Sequence, residues 1–321
     1  MESVYVCTAR GRPVFRAQDP FPHHTQSFKP VQRILSIVYL NGSYLPADQA
    51  TVSVNDRGFL FADGIYEVTP AYNGRFFMLD RHRERLLKGL CELRIDWSVA
   101  ELEELHHELL RRNGLEDEPV SIVYLQVTRG AAPRTHAFPK DPVKPTVYAY
   151  AKAYKRPSQD RWDRGFEAVT VPDRRWVRAD IKTISLLPNV LAQQAAVDAG
   201  VDDALLVKDG VAIEGAHNNF FAVFGNTVVT HPKSHQILHG ITRGYLIEMA
   251  AEIGVEVVER PIQLEEMAYA SEAFFTGTTT EVRPTVRIDG RSVGSGIVGP
   301  VTRQLSDAFV ERVTRFGAGG D

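Results

Sequence analysis

Lys182, in the run Ala179-Asp180-Ile181-Lys182-Thr183, is the side chain around which the rest of this sequence makes chemical sense. A primary amine that condenses with an aldehyde needs a partly desolvated site where its neutral form is reachable, and a lysine entering a semi-apolar segment suits that need. Farther along, Val211-Ala212-Ile213-Glu214-Gly215 sets a carboxylate at the end of an apolar run, where it could keep a ring nitrogen protonated. Gly240-Ile241-Thr242-Arg243 then opens an expected helix, and Thr276-Gly277-Thr278-Thr279-Thr280-Glu281 closes an expected strand. Backbone amides and hydroxyls at such ends can cradle phosphate. Each piece alone has an ordinary reading: a solvated lysine, a turn at Glu-Gly, a threonine-decorated strand. Together, an amine for an aldehyde, an acid for a pyridinium and donors for a dianion suit one cofactor, pyridoxal 5'-phosphate.

Composition narrows the classes. With 321 residues, 44% hydrophobic and 24% charged, the chain can bury a sizeable core and is expected to form two domains. A formal net charge of -3 supplies no broad basic field for nucleic acid or an anionic membrane, so small molecules are the expected partners. Cys7 and Cys91 are far apart, which points to neither a disulfide framework nor a thiolate metal site and fits a cytoplasmic protein. The ten histidines are dispersed, and the adjacent pairs His23-His24 and His106-His107 point their rings apart, so no metal is expected. The stretch from Met1 to Ser36 lacks the uninterrupted apolar core of a signal peptide, and no segment reads as a transmembrane helix.

The elements that must position these groups begin at Ile37. Val38-Tyr39-Leu40, Asn41-Gly42 and Ser43-Tyr44-Leu45 read as a hairpin, as do Tyr66–Tyr72, Asn73-Gly74 and Arg75–Met78; two Asn-Gly turns argue for antiparallel sheet. Helices are expected over Asp80–Leu93 and over Ser98–Arg112, the second with a capping box from Ser98 and Glu101 and an end at Gly114. Strands follow at Val120–Thr128 and Thr146–Ala153, separated by a loop carrying Arg129, Arg134 and His136, and Lys155–Ser158 reads as a linker. A second set then starts: strands at Phe166–Val171, Ala204–Val207, Phe220–Phe224 and Thr227–Thr230 and near Glu256 and Ala273, and helices over Leu187–Ala199, Thr242–Ile253 and Thr302–Arg315. Gly317–Gly320 reads as a frayed end. The expected division is an extension over 1–36, a smaller α/β domain over 37–154, a linker over 155–160 and a larger cofactor-binding domain over 161–321.

Several segments, in order, resemble the fold-type IV pyridoxal phosphate enzymes, and within them the bacterial D-amino acid transaminases. They are Asp56-Arg57-Gly58, Asp63-Gly64-Ile65-Tyr66-Glu67-Val68, His82-Arg83-Glu84-Arg85-Leu86, Gln126–Gly130, Pro133-Arg134-Thr135-His136, Asp180-Ile181-Lys182, Glu214-Gly215 and Gly240–Arg243. The resemblance runs from about Val38 to Arg315. It implies a two-domain α/β (α+β) fold with the cofactor between the domains, in a homodimer whose partner chain completes each site. By resemblance Lys182 carries the Schiff base and shuttles the proton, Glu214 pairs with the pyridine nitrogen, and Arg85, Ile241, Thr242 and Thr278 bind the phosphate. Tyr66, Arg134 and His136 look like the family's trap for the substrate carboxylate, the last two reaching in from the other subunit. The implied reaction is ping-pong transfer of an amino group from a D-amino acid, of the D-alanine or D-glutamate type, to a 2-oxo acid. An (R)-selective amine transaminase and a non-catalytic cofactor-binding protein are the alternatives. The chain departs from the resemblance at Ala216-His217-Asn218-Asn219, where a Ser-rich run is common, and at Gly277, where Ser is common. His217 and Asn218 either add donors near the cofactor or cap a turn.

Overall fold

The computed structural model of the chain describes residues 36–320, so all but the last residue of the expected extension lies outside the described residues. The fold is mixed α/β, built on two sheets. The first contains β1 (Ile37–Leu40), β2 (Ser43–Pro46), β3 (Gly64–Tyr72), β4 (Arg75–Phe76), β5 (Val120–Thr128) and β6 (Thr146–Ala153) in the order β2-β1-β6-β5-β3-β4. Every pairing in it is antiparallel. Both Asn-Gly pairs are two-residue turns in which Asn41, Gly42, Asn73 and Gly74 all have positive φ, the type I′ geometry that matches strand twist.

Two helices cover one face of this sheet, α2 (Leu79–Leu93) and α3 (Leu102–Arg112), the first preceded by the short α1 (Arg57–Phe61). Their apolar stripes, Leu86 and Leu90 on α2 and Leu102, Leu105, Leu109 and Leu110 on α3, pack on Ile65, Val123, Leu125 and Val127. α3 starts later than the sequence predicts. Trp97 and Val99, partly buried, pack against this core, the chain turns at Val99 before the helix begins, and the expected capping box is absent. Ser98 Oγ instead accepts from the Ala100 amide at 3.3 Å.

The second sheet is mixed. β7 (Phe166–Pro172), β8 (Asp203–Lys208), β9 (Val211–Gly215), β10 (Asn219–Phe224), β11 (Thr227–Thr230), β12 (Val257–Glu259), β13 (Ile262–Gln263), β14 (Glu272–Gly277) and β15 (Glu281–Ile288) run in the order β12-β11-β10-β14-β15-β7-β8-β9-β13, with β16 (Arg291–Ser292) pairing β15. α4 (Gln159–Arg164), capped by Ser158, fills the end of the expected linker, and α5 (Leu187–Asp198) packs on β7 and β8 through Ala192 and Ala196. α6 (Ile241–Glu252) and α7 (Pro300–Gly317) share a core in which Phe221, Phe274, Leu246 and Phe309 meet Tyr72 and Phe77 from the end of the first sheet. The expected fraying after Arg315 does not occur: Arg75 donates to the carbonyls of Phe316 and Gly320 and stacks on the Phe316 ring at 4.5 Å. Among the described residues, no helix is long and apolar enough to cross a membrane.

One glycine fixes the exit from β5. Gly130 has φ +96°, and a Cβ there would sit 2.1 Å from the Lys144 carbonyl oxygen. Gly130→Ala is therefore expected to lower stability by roughly 1–3 kcal/mol, read as a drop in the urea midpoint at unchanged slope.

Candidate active site

The lysine segment is held by strand-like pairing. The Tyr66 amide donates to the Lys182 carbonyl at 3.0 Å and the Ile184 amide to the Gly64 carbonyl at 3.1 Å, so residues 182–184 lie along the start of β3. Tyr66 and Lys182 thereby share one edge, with Lys182 Nζ 4.1 Å from the centroid of the Tyr66 ring. Lys182 is half-buried and opens into a cavity that it lines together with Tyr66, Arg85, Arg175 and Glu214.

Glu214, on β9 and 3% exposed, borders this cavity. Its oxygens accept from Arg175 Nη1, from Asn219 Nδ2 at 2.7 Å and from the Leu238 amide at 3.1 and 3.2 Å. Burial pushes its pKa up to about 7, against the pull of the Arg175 guanidinium. Every partner donates to it, and when ionised the carboxylate can still accept a hydrogen bond from a protonated ring nitrogen. Arg175 is oriented in turn by Asp173, whose carboxylate takes its Nε at 3.0 Å and its Nη2 at 2.8 Å.

Donors line the cavity as well. Gly240 caps α6 without a side-chain bond, and no acidic residue occupies the helix's first turn, so the amides of Ile241 and Thr242 face the cavity with the positive end of the helix. Thr278 also lines the cavity, and the buried Thr276 Oγ1 beside it has no partner. Arg85 arrives from α2, its guanidinium held by a fork to Glu67 at 2.9 and 2.5 Å and by a bond to the His239 carbonyl at 3.2 Å. Glu67 also accepts from the Val68 amide and contacts His82 Nδ1 at 3.0 Å. Burial raises the Glu67 carboxyl, but Arg85 and His82 outweigh it and hold it well below the usual carboxylate range. Amide, hydroxyl and guanidinium donors lining one cavity with a buried carboxylate fit a ligand that carries both a phosphate and a basic ring nitrogen.

Asn219 links Glu214 to the start of α6. Its amide bonds both Glu214 and the Leu238 carbonyl, the latter at 2.9 Å, and its Oδ1 lies where a Cβ on Gly240 would fall, at 2.1 Å. His217 and Asn218 border the cavity as well. The His217 ring faces open space, while protein mass on its other sides pushes its pKa below the ordinary imidazole value against the field of Asp203. Asn218 is buried, donates to Asp203 at 2.9 Å and keeps an unpartnered Oδ1.

Nine of the residues picked out in the sequence line this one cavity: Tyr66, Arg85, Lys182, Glu214, His217, Asn218, Ile241, Thr242 and Thr278. Arg134 and His136 do not. They sit on an exposed loop beside Phe61, with the Arg134 guanidinium 5.0 Å and the His136 ring 5.6 Å from its centroid. Sequence reasoning missed Arg175, Asn219 and the Glu67–His82 pair. Arg175 lies next to Arg174 and 39 residues from Glu214, and nothing in the local pattern distinguishes one arginine from the other.

The amino-transferase class IV profile matches residues 64–288, and the chain belongs to this family of fold-type IV enzymes. The D-alanine aminotransferase of Staphylococcus haemolyticus is 40% identical over 274 residues, covering 85% of this chain and 96% of that protein. The D-alanine aminotransferase of Bacillus licheniformis is 39% identical over the same length, covering 85% and 95%. Among solved structures, the PLP form of the branched-chain amino acid aminotransferase of Thermobaculum terrenum has a TM-score of 0.74 at 26% identity, covering 87% of this chain and 94% of that one.

The raised pKa of Glu214 has a measurable sign. A carboxyl that keeps its proton to about 7 when folded but only to 4.5 when unfolded contributes stability that is full below 4.5 and is lost as pH rises through 7. The ligand-free protein is expected to lose on the order of 3 kcal/mol from this group across that window. Glu214→Gln has no proton to release, so urea titrations at several pH values should show a flatter pH profile for it than for the wild type.

Proposed function

We propose that this chain is a pyridoxal 5'-phosphate-dependent D-amino acid transaminase, transferring the amino group of D-alanine- or D-glutamate-type donors to a 2-oxo acid in two half-reactions. The observation that carries the reading is the meeting of Lys182, the buried Glu214 and the donors of Arg85, Ile241, Thr242 and Thr278 in one cavity. The identity of 40% to a D-alanine aminotransferase across most of the chain supports the choice of donor. Arg85, the two helix amides and Thr278 hold the phosphate, and Glu214, braced by Arg175 and Asn219, holds the ring nitrogen. When bound, the cofactor supplies an electron sink for the pair left by the substrate Cα–H bond.

The protein's own part is attachment, proton transfer and orientation. Lys182 would hold the cofactor through its amine and, as the base nearest the substrate, would carry the proton between the substrate Cα and the cofactor's C4′. A single lysine works on one face of the substrate, so one enantiomer is processed. Tyr66, against the Lys182 Nζ, borders the place where the substrate carboxylate lies. Arg134 and His136 complete that trap from a partner subunit in a homodimer. Their exposure away from their own cavity favours this, as do the exposed apolar side chains of Val52, Val54, Phe59 and Phe138 on the same loop and the segment paired with it. We further read the two sheets as two domains, 37–154 and 161–321, joined by 155–160 with the cofactor between them. The free, exposed Cys91 suits a reducing cytoplasm.

Lys182→Ala is expected to abolish turnover and the visible absorbance of the lysine-bound cofactor; a purified variant that kept both would end the assignment. A donor panel separates the alternatives: D-alanine with 2-oxoglutarate should form pyruvate, while L-alanine and (R)-1-phenylethylamine should be poor. Preference for the carboxylate-free amine would make the protein an amine transaminase, and bound cofactor without any half-reaction would make it a binding protein. Arg134→Ala should raise the KM for D-alanine about tenfold or more with the resting absorbance unchanged.

A further inference from the structure

Asp63 does not line the cavity, yet it joins two buried arginines. Its Oδ2 accepts from Arg57 Nε and from Arg129 Nε, each at 2.7 Å, and its Oδ1 accepts from Arg129 Nη2 at 2.9 Å. The three side chains are 9%, 3% and 8% exposed, so this is an enclosed cluster of one anion and two cations. The remaining nitrogens reach outward in a defined direction. Arg57 Nη1 donates to the Thr135 carbonyl at 2.7 Å, and the Arg129 guanidinium lies 3.7 Å from the centroid of the Phe138 ring. Arg129 is itself anchored to the carbonyls of Arg94 at 3.0 Å and Leu93 at 2.6 Å, at the end of α2. Both ends of the short segment Thr135–Phe138 are thus gripped by arginines that a single carboxylate orients.

That segment carries His136 and directly follows Arg134, in a stretch without regular secondary structure and exposed along nearly its whole length. A loop of this kind loses conformational entropy when it closes on a substrate, and fixing it beforehand removes that penalty from binding. Resting on the transaminase reading above, we propose that Asp63 is a positioning residue: through Arg57 and Arg129 it presets the loop bearing Arg134 and His136, and it acts on the site of the partner subunit rather than on its own. Burial raises the Asp63 carboxyl, but the bonds from Arg129 and Arg57 outweigh it and keep the group charged at neutral pH.

Asp63→Asn keeps the size and removes the charge. It should raise the KM for D-alanine about tenfold while kcat changes little and the resting cofactor absorbance is retained; an unchanged KM overturns the proposal. Arg57→Lys is the second variant, since one ammonium can stay beside Asp63 but cannot span to Thr135 as the guanidinium does, and it should raise KM in the same way without loss of cofactor. If Asp63→Asn fails to fold, this variant decides alone.

The direction of action is tested with heterodimers, one protomer Asp63→Asn and the other Lys182→Ala, co-expressed with different tags and purified on both. The one site with a lysine would then borrow an intact loop, and wild-type KM at about half the wild-type kcat per dimer is expected. A KM as high as that of the Asp63→Asn homodimer shows action within the same chain and overturns the proposal. Wild-type turnover of D-alanine is the separate control: its absence would defeat the transaminase reading and this inference with it, whereas normal wild-type turnover with an unaffected variant defeats only the role of Asp63.

Discussion

Two backbone hydrogen bonds, from Tyr66 to Lys182 and from Ile184 to Gly64, are what the site depends on. They lay the lysine segment along the first residues of β3, and everything else follows from where β3 leads. Ile65, pointing the other way, is buried against α2, where Gly89 lets the helix approach so closely that a Cβ would lie 3.2 Å from the Ile65 side chain. Farther along the strand, Glu67 grips Arg85 on that same helix. One nine-residue strand therefore sets the amine, the aromatic ring beside it and the Arg85 guanidinium relative to each other.

The cavity is built from buried charges, each of which would be costly alone. Glu67 is answered by Arg85 and His82, Glu214 by Arg175 and Asn219, and Asp63 by Arg57 and Arg129. In each case the group nearest the chemistry or the substrate is backed by a partner one step away from it. Such pairs contribute less to stability than equally packed apolar residues would, and their value lies in fixing direction. A branched-chain aminotransferase is among the solved structures of like fold, and D-alanine aminotransferases are among the sequence relatives. One fold can serve different substrates, because a shared framework leaves the surrounding loops free to vary.

The sequence was most legible where local chemistry is self-sufficient. The Asn-Gly turns, the amphipathic stripe of α2 and the strand starts at Val120 and Thr146 all appear in the structure within a residue or two. It was least legible where tertiary contacts override local preference. Ser98 and Glu101 spell a helix cap, but packing of Trp97 and Val99 on the core delays the helix to Leu102, and Arg75 closes a glycine-rich end that would otherwise fray. The cavity residues could be proposed because their types are dictated by the ligand, whereas their supports, Arg175, Asn219 and Asp63, are ordinary polar residues whose roles exist only once distant segments meet.

Asn219 carries one more implication. The same small amide bonds Glu214 and abuts the helix-capping Gly240, so a larger residue at either 219 or 240 would displace the carboxylate and the helix start together.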